Sequence, residues 1–156
     1  MKKMMIMSLA MLSATTMAAT KTNIKPENTP AAQPTVVLRV LDFSSKTPRP
    51  LTENKLSQSK NQQLCWSSVN VPLSGKVQFA EAFYAPAATT FTSEGMSVTA
   101  SKDKKEFLIV GNVTFKDNTN LTRCWKFTKE DPVGHYRLDV QINDIVFKGL
   151  AFEVVK

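Results

Sequence analysis

Cysteine, histidine and glycine are scarce in this chain, and each shortage removes a class of chemistry. There are two cysteines in 156 residues, and they form no Cys-x-x-Cys pair. Disulfide-exchange catalysis therefore has no motif to work from. The single histidine, His135, leaves too few ligands for a zinc centre once the cysteines pair. No Gly-x-Ser-x-Gly elbow accompanies it, so a Ser-His-Asp triad has no support either. Gly75, Gly95, Gly111, Gly134 and Gly149 are isolated, which gives no phosphate-cradling loop. No Arg-rich run or nucleic-acid motif is present. Asp and Glu show no calcium-loop spacing. The chain thus offers no catalytic residue, metal ligand set or cofactor motif, and a non-enzyme is expected. A glycosidase pair of carboxylates need only meet in space, so sequence does not display one.

What is present begins with an export-signal pattern. Met1-Lys2-Lys3 is a positive start, and Met4 to Leu12 is apolar except for Ser8. Ser13 to Ala19 then supplies small residues of the kind a signal peptidase reads. The apolar run is shorter than the ~20 residues that span a bilayer. Residues 1–19 are therefore expected to be a cleaved signal peptide. The absence of a cysteine near the cleavage site argues against a lipid-anchored form. No second stretch approaches membrane length, so a soluble periplasmic or extracellular protein is expected.

Cleavage leaves about 137 residues, the size of one domain. Removing Lys2 and Lys3 lowers the formal charge from +7 to +5, and the remaining basic residues are scattered. Such a balance suits plain solubility first and anionic envelope components second. Residues 20–34 hold Pro26, Pro30 and Pro34 and almost no apolar side chain but Ile24. That composition cannot offset its ordering entropy, and it reads as a flexible tail.

From residue 35 to 156 the pattern is one of short strands. Val36 to Phe43 is apolar at nearly every position, as for a strand buried on both sides. Ser44 to Lys60, with Pro48 and Pro50, reads as a long loop. Strands follow at Gln62–Leu73, Lys76–Tyr84, Thr89–Thr92, Met96–Ala100, Glu106–Phe115 and Leu121–Phe127. In the second of these Val77, Phe79 and Phe83 share one parity. Tyr136, Leu138, Val140 and Ile142 alternate with polar residues, the mark of a half-buried strand. Asn143-Asp144 makes a two-residue hairpin turn. The return strand, Ile145 to Val155, changes parity at Lys148-Gly149, which predicts a β-bulge. The fold class is all-β, a β-sandwich of about seven to nine antiparallel strands, with a small β-barrel as the alternative.

The run Asp131-Pro132-Val133-Gly134-His135-Tyr136 resembles the Asp-x-Gly-x-Tyr start of a late strand in immunoglobulin-like domains. One extra residue separates Asp131 from Gly134, and Leu138 stands where that family has a cysteine. The resemblance covers six residues. It implies an immunoglobulin-like sandwich in which Tyr136 is structural, its hydroxyl bonding back to the chain.

The two cysteines and two tryptophans form two dipeptides, Cys65-Trp66 and Cys124-Trp125. In an exported chain a Cys65–Cys124 disulfide is expected. It would close a loop of about 60 residues and contribute on the order of 4 kcal/mol. By parity with Val69, Val71 and Leu73, Cys65 should face inward and Trp66 outward. By parity with Leu121 and Phe127, Trp125 should face inward and Cys124 outward. A disulfide joins such opposite faces only at an irregularity, so a bulge or edge is expected beside one dipeptide. Trp66 becomes the candidate binding residue and Trp125 a structural one.

These readings converge on a non-enzymatic binding or accessory module of a bacterial envelope, serving a surface structure, secretion or adhesion. Its partner would be a protein or envelope component, not nucleic acid. Two alternatives stand beside it. One is an inhibitor of a lysozyme or protease, acting through Ser44–Lys60 or Ala85–Ala88. The other is a cell-wall or glycan hydrolase with dispersed carboxylates. A pilus subunit fits less well, because residues 20–34 lack the alternation of a donated strand.

Overall fold

The computed structural model describes residues 32–116 and 119–156. The segment read as a signal, most of the tail and half of the Asp117–Asn120 turn lie outside those residues. The described chain is a two-layer β-sandwich of ten strands. They are β1 (Thr35–Asp42), β2 (Arg49–Pro50), β3 (Lys55–Ser57), β4 (Gln62–Val69), β5 (Gly75–Tyr84), β6 (Ser97–Ala100), β7 (Glu106–Phe115), β8 (Thr122–Trp125), β9 (Gly134–Ile142) and β10 (Ile145–Val155). One sheet runs β2-β1-β4-β8 and the other β3-β10-β9-β5-β7-β6. Both sheets have free ends, so the barrel alternative does not apply.

Alternation along the strands builds the core. Leu38, Val40, Leu64 and Trp66 point in from the first sheet. Val77, Phe79, Phe83, Ile109, Leu138, Val140 and Ile142 meet them from the second. The aromatic part centres on Phe83, whose ring lies 4.7 Å from Phe91 and 5.2 Å from Trp125. Gly111 stands opposite Phe79 in the β5–β7 register, and the Phe79 ring lies over its bare backbone.

The β9–β10 hairpin follows its pattern closely. It turns at Asn143, whose φ is 49°, and its register shifts between Phe147 and Leu150. Gly149 takes the left-handed conformation there (φ 76°), and its N–H donates to Asp139 Oδ1 at 2.8 Å. A glycine suits that bulge because a Cβ is disfavoured at positive φ.

Three local expectations are corrected. β1 alternates, with Val37 and Arg39 outward, because only one face of its four-stranded sheet is covered. Ser44–Lys60 is not one free loop. It contains β2, paired to the end of β1, and β3, paired in parallel with β10. These two short strands bring the described total to ten, and the β3–β10 pair is the one parallel contact among the described residues. Thr89–Thr92 forms no strand, although Phe91 is anchored in the core.

Candidate functional site

The two Cys-Trp dipeptides face each other across β4 and β8. Cys65 is directly opposite Cys124, and Trp66 is opposite Arg123. The cysteines are bonded, with Cα atoms 4.0 Å apart. Both lie on the outer side of their sheet, and both tryptophans point inward. The β4–β8 register carries no bulge, and the bridge lies at an edge, because β8 is the last strand of its sheet; of the two expected alternatives the edge is the one found. Trp66 is corrected: it is wholly buried and is no surface contact. The physical reason is at Asn70, whose φ of 56° ends β4. Val71 and Leu73 lie beyond that break, so their inward direction says nothing about Cys65. Trp125 is buried, as its own strand's parity implies.

The indoles converge on one carboxylate. Glu81 in β5 has no exposed surface. Its Oε1 accepts from Trp66 Nε1 at 2.6 Å and from Trp125 Nε1 at 2.8 Å. Its Oε2 accepts from Arg123 Nε at 3.0 Å. The Arg123 guanidinium lies 4.8 Å from the Phe79 ring centre and 5.4 Å from that of Trp125. A buried carboxylate is tolerable only when paired and hydrogen-bonded, and here three donors from the facing sheet meet it. This polar node ties β5 to β4 and β8 through the middle of the sandwich. Glu81 itself has no access to solvent, so it meets no substrate while the sandwich is closed. Sequence reasoning missed it. The signal was an acidic residue at position 81 on the same parity as Val77, Phe79 and Phe83.

Tyr136 is buried at the start of β9, and its hydroxyl donates to the Pro132 carbonyl at 2.6 Å. That is the backward bond implied by the immunoglobulin-like resemblance. Burial and the nearby Asp131 charge push its pKa above the ordinary tyrosine value. His135 is exposed on the outer face of β9, opposite Glu153 of β10. Among the described residues, no three His, Cys, Asp or Glu side chains gather as a metal site.

The surface feature with the most built-in structure is a cleft of about 300 Å³ beside the end of β8. Thr89, Thr90, Phe91 and Thr92 form one wall, and Trp125 to Thr128 form the other. Glu130 and Asp131 close one end. Asp131 fixes that end: its carboxylate accepts from the Thr128 N–H at 2.7 Å and from the Thr89 hydroxyl at 3.1 Å. The Gln58 side-chain amide donates to the carbonyls of Thr128 and Asp131, pinning the same loop to the β3–β4 connection. The cleft therefore has held walls, an aromatic floor and a polar rim.

A family model described as the PM0630 beta sandwich domain matches residues 36–155. The chain belongs to this family. A relative from Pasteurella multocida (strain Pm70), carrying the name "Uncharacterized protein PM0630", is 38% identical over 159 residues, with all of both chains covered. The PM0630 β-sandwich match takes in the disulfide, the Glu81 node, Tyr136 and the cleft. The disulfide fits an oxidising compartment. Among the described residues, no helix is long and apolar enough to cross a membrane.

Proposed function

We propose that this protein is an exported, non-enzymatic binding module of the bacterial envelope, acting in the periplasm or outside the cell. The observation that carries the reading is the held cleft between Thr89–Thr92 and Trp125–Thr128. Its exposed lining is mostly polar, set over Phe91, Trp125 and Phe127, and a concave site with convergent polar groups is a default binding-site hypothesis. The signal-like start and the disulfide support export. Two of the acidic side chains have structural duties: Glu81 is held by three donors, and Asp131 is engaged in holding its loop. The inhibitor alternative draws less support, since β2 and β3 hold Ser44–Lys60 against the sandwich.

A photo-crosslinking residue placed at Thr90, with the same residue at Gln78 on the opposite sheet as control, tests the reading in living cells. We expect a discrete crosslinked product from position 90 in the envelope fraction, abolished by Thr92→Arg, and none from position 78. Correct export with no product from position 90 would sink the proposal. So would release of product from peptidoglycan or glycan panels by the purified protein.

A further inference from the structure

We infer that two copies of this chain pair through the free edge of β6, which continues the six-stranded sheet across a two-fold axis at Thr99. This goes beyond the binding-module reading and does not depend on the cleft. The hydrogen-bond register decides which backbone groups are free. The Ser101 N–H donates to the Glu106 carbonyl, and bonded pairs alternate from there through Thr99–Leu108 and Ser97–Val110. The far side of β7 agrees, since the Lys105 carbonyl accepts from Ala85 and so faces β5. Val98 and Ala100 therefore turn their N–H and C=O groups away from β7. β6 ends its sheet, and no strand among the described residues meets those groups. A bare edge is a template for pairing, and charged residues, prolines and very short strands are what blunt one. The other sheet ends are blunted in these ways. β2 is only Arg49 and Pro50, β3 is Lys55 to Ser57, and Lys126 follows β8. From Gly95 to Ser101 the β6 edge carries neither a charge nor a proline.

The charges at its two ends say what covers this edge. Glu94 stands at one end of the neutral run. Arg123, which reaches the adjoining Ser93, is already paired with Glu81. At the other end stand Lys102, Lys104 and Lys105, against Asp103 and Glu106, which leaves that end net positive. Asp103 is also turned onto the Ser101 hydroxyl and the Lys105 N–H. A strand marked negative at one end and positive at the other is complementary to itself when antiparallel. With the axis at Thr99, Val98 of each copy exchanges hydrogen bonds with Ala100 of the second copy, so the free groups satisfy one another. Glu94 then falls opposite Lys104 of the second copy, at both ends of the interface. Thr99 meets Thr99 of the second copy on the outer face, a favoured cross-strand pair. Met96 and Val98, half-buried in one copy, are covered further.

The test uses the full exported chain. Sedimentation velocity should show monomer at about 1 μM and dimer at about 1 mM. Over the same range amide hydrogen exchange at Val98 and Ala100 should slow about fivefold, with no change in β8. Thr99→Cys should give a disulfide-linked dimer on mild oxidation, because residues directly opposed at a non-hydrogen-bonded pair have Cα atoms ~4.5 Å apart. Ser97→Cys should not, since Ser97 faces Ser101 of the second copy. Thr99→Lys and Thr99→Glu should each weaken the dimer about threefold or more, and an equimolar mixture of the two should restore it. Thr99 is exposed, so these variants leave the single copy folded. Three results would each overturn the inference. One is monomer alone at about 1 mM. Another is a dimer that Thr99→Lys leaves untouched, and the third is equal crosslinking from positions 97 and 99. None of them bears on the crosslink at Thr90, so the binding-module reading stands or falls separately.

Discussion

Removing the Glu81 carboxylate should cost this fold more than any other single polar substitution. Glu81→Ala leaves the two buried indole N–H groups of Trp66 and Trp125 without an acceptor. An unsatisfied buried donor costs about 1–3 kcal/mol. The same change strips Arg123 of its partner, and breaking a buried ion pair costs about 3–5 kcal/mol. The Arg123 side chain keeps 16% of its surface, so hydration offsets part of that loss. The three donors share one acceptor group, so their costs do not simply add. We expect about 4–6 kcal/mol for Glu81→Ala, against a whole-domain stability of ~5–15 kcal/mol. Glu81→Gln keeps one oxygen for the indoles but turns an amide N–H₂ or a neutral oxygen toward Arg123. Its expected cost is about 2–3 kcal/mol, from losing the charged partner of a hydrogen bond. Urea unfolding followed by tryptophan fluorescence reads both, because the two indoles report from the node itself. Glu81→Gln and Arg123→Gln together should show a coupling of about 1–3 kcal/mol in a double-mutant cycle. If Glu81→Ala costs under about 1 kcal/mol, or matches Glu81→Gln, the node is not a structural tie.

Three further outcomes follow from other parts of the fold. Replacing Cys65 and Cys124 together by serine opens a 59-residue separation and should cost about 4 kcal/mol in the same urea assay. A loss below about 1 kcal/mol would show that the reduced chain is already constrained. Tyr136→Phe removes the bond to Pro132 and should cost about 1 kcal/mol near neutral pH. The folded state holds the Tyr136 proton more tightly than the unfolded chain, whose tyrosine titrates near 10.0. That contribution is therefore intact below pH 10 and is lost as pH rises toward the folded value. Wild type should weaken more steeply than Tyr136→Phe on alkaline titration, and parallel curves would refute the assignment. Gly111→Ala would set a Cβ 2.5 Å from Phe79 Cζ, against a ring already packed beside Arg123. Forcing that ring aside should cost about 1–3 kcal/mol. An unchanged urea midpoint would mean the ring has room to move.

Strands were legible where the alternation ran to the end of the hydrogen-bonded ladder. β7 begins and ends where its pattern does, and the β9–β10 hairpin shows its turn and its bulge in the residues themselves. β4 failed that condition. Its apolar count borrowed Val71 and Leu73 from beyond Asn70, and two residues of turn reversed the parity of Cys65. The Thr89–Thr92 run was misread for a related reason. Phe91 is buried, but burial of one aromatic anchor does not require a paired neighbour. Glu81 was invisible as a node, because the donors that stabilise it sit in the other sheet, at positions 66, 123 and 125.

The disulfide itself held the information that the strand counts obscured. Side chains directly opposite on adjacent antiparallel strands lie on the same face of the sheet. A bond between Cys65 and Cys124 therefore places both on one face, and each following tryptophan on the other. With Trp125 inward, Trp66 has to be inward as well. That inference uses a covalent constraint worth several kcal/mol, whereas the contrary count rested on Val69 and two residues past the strand end. Two indoles turned into one core also demand an acceptor, since a buried N–H without one is costly. The acidic residue on the apolar parity of the facing strand was available to meet them. The cleft was beyond such reasoning. It depends on β8 being the last strand of its sheet, and strand order across a sandwich is set by long-range packing that no local pattern records.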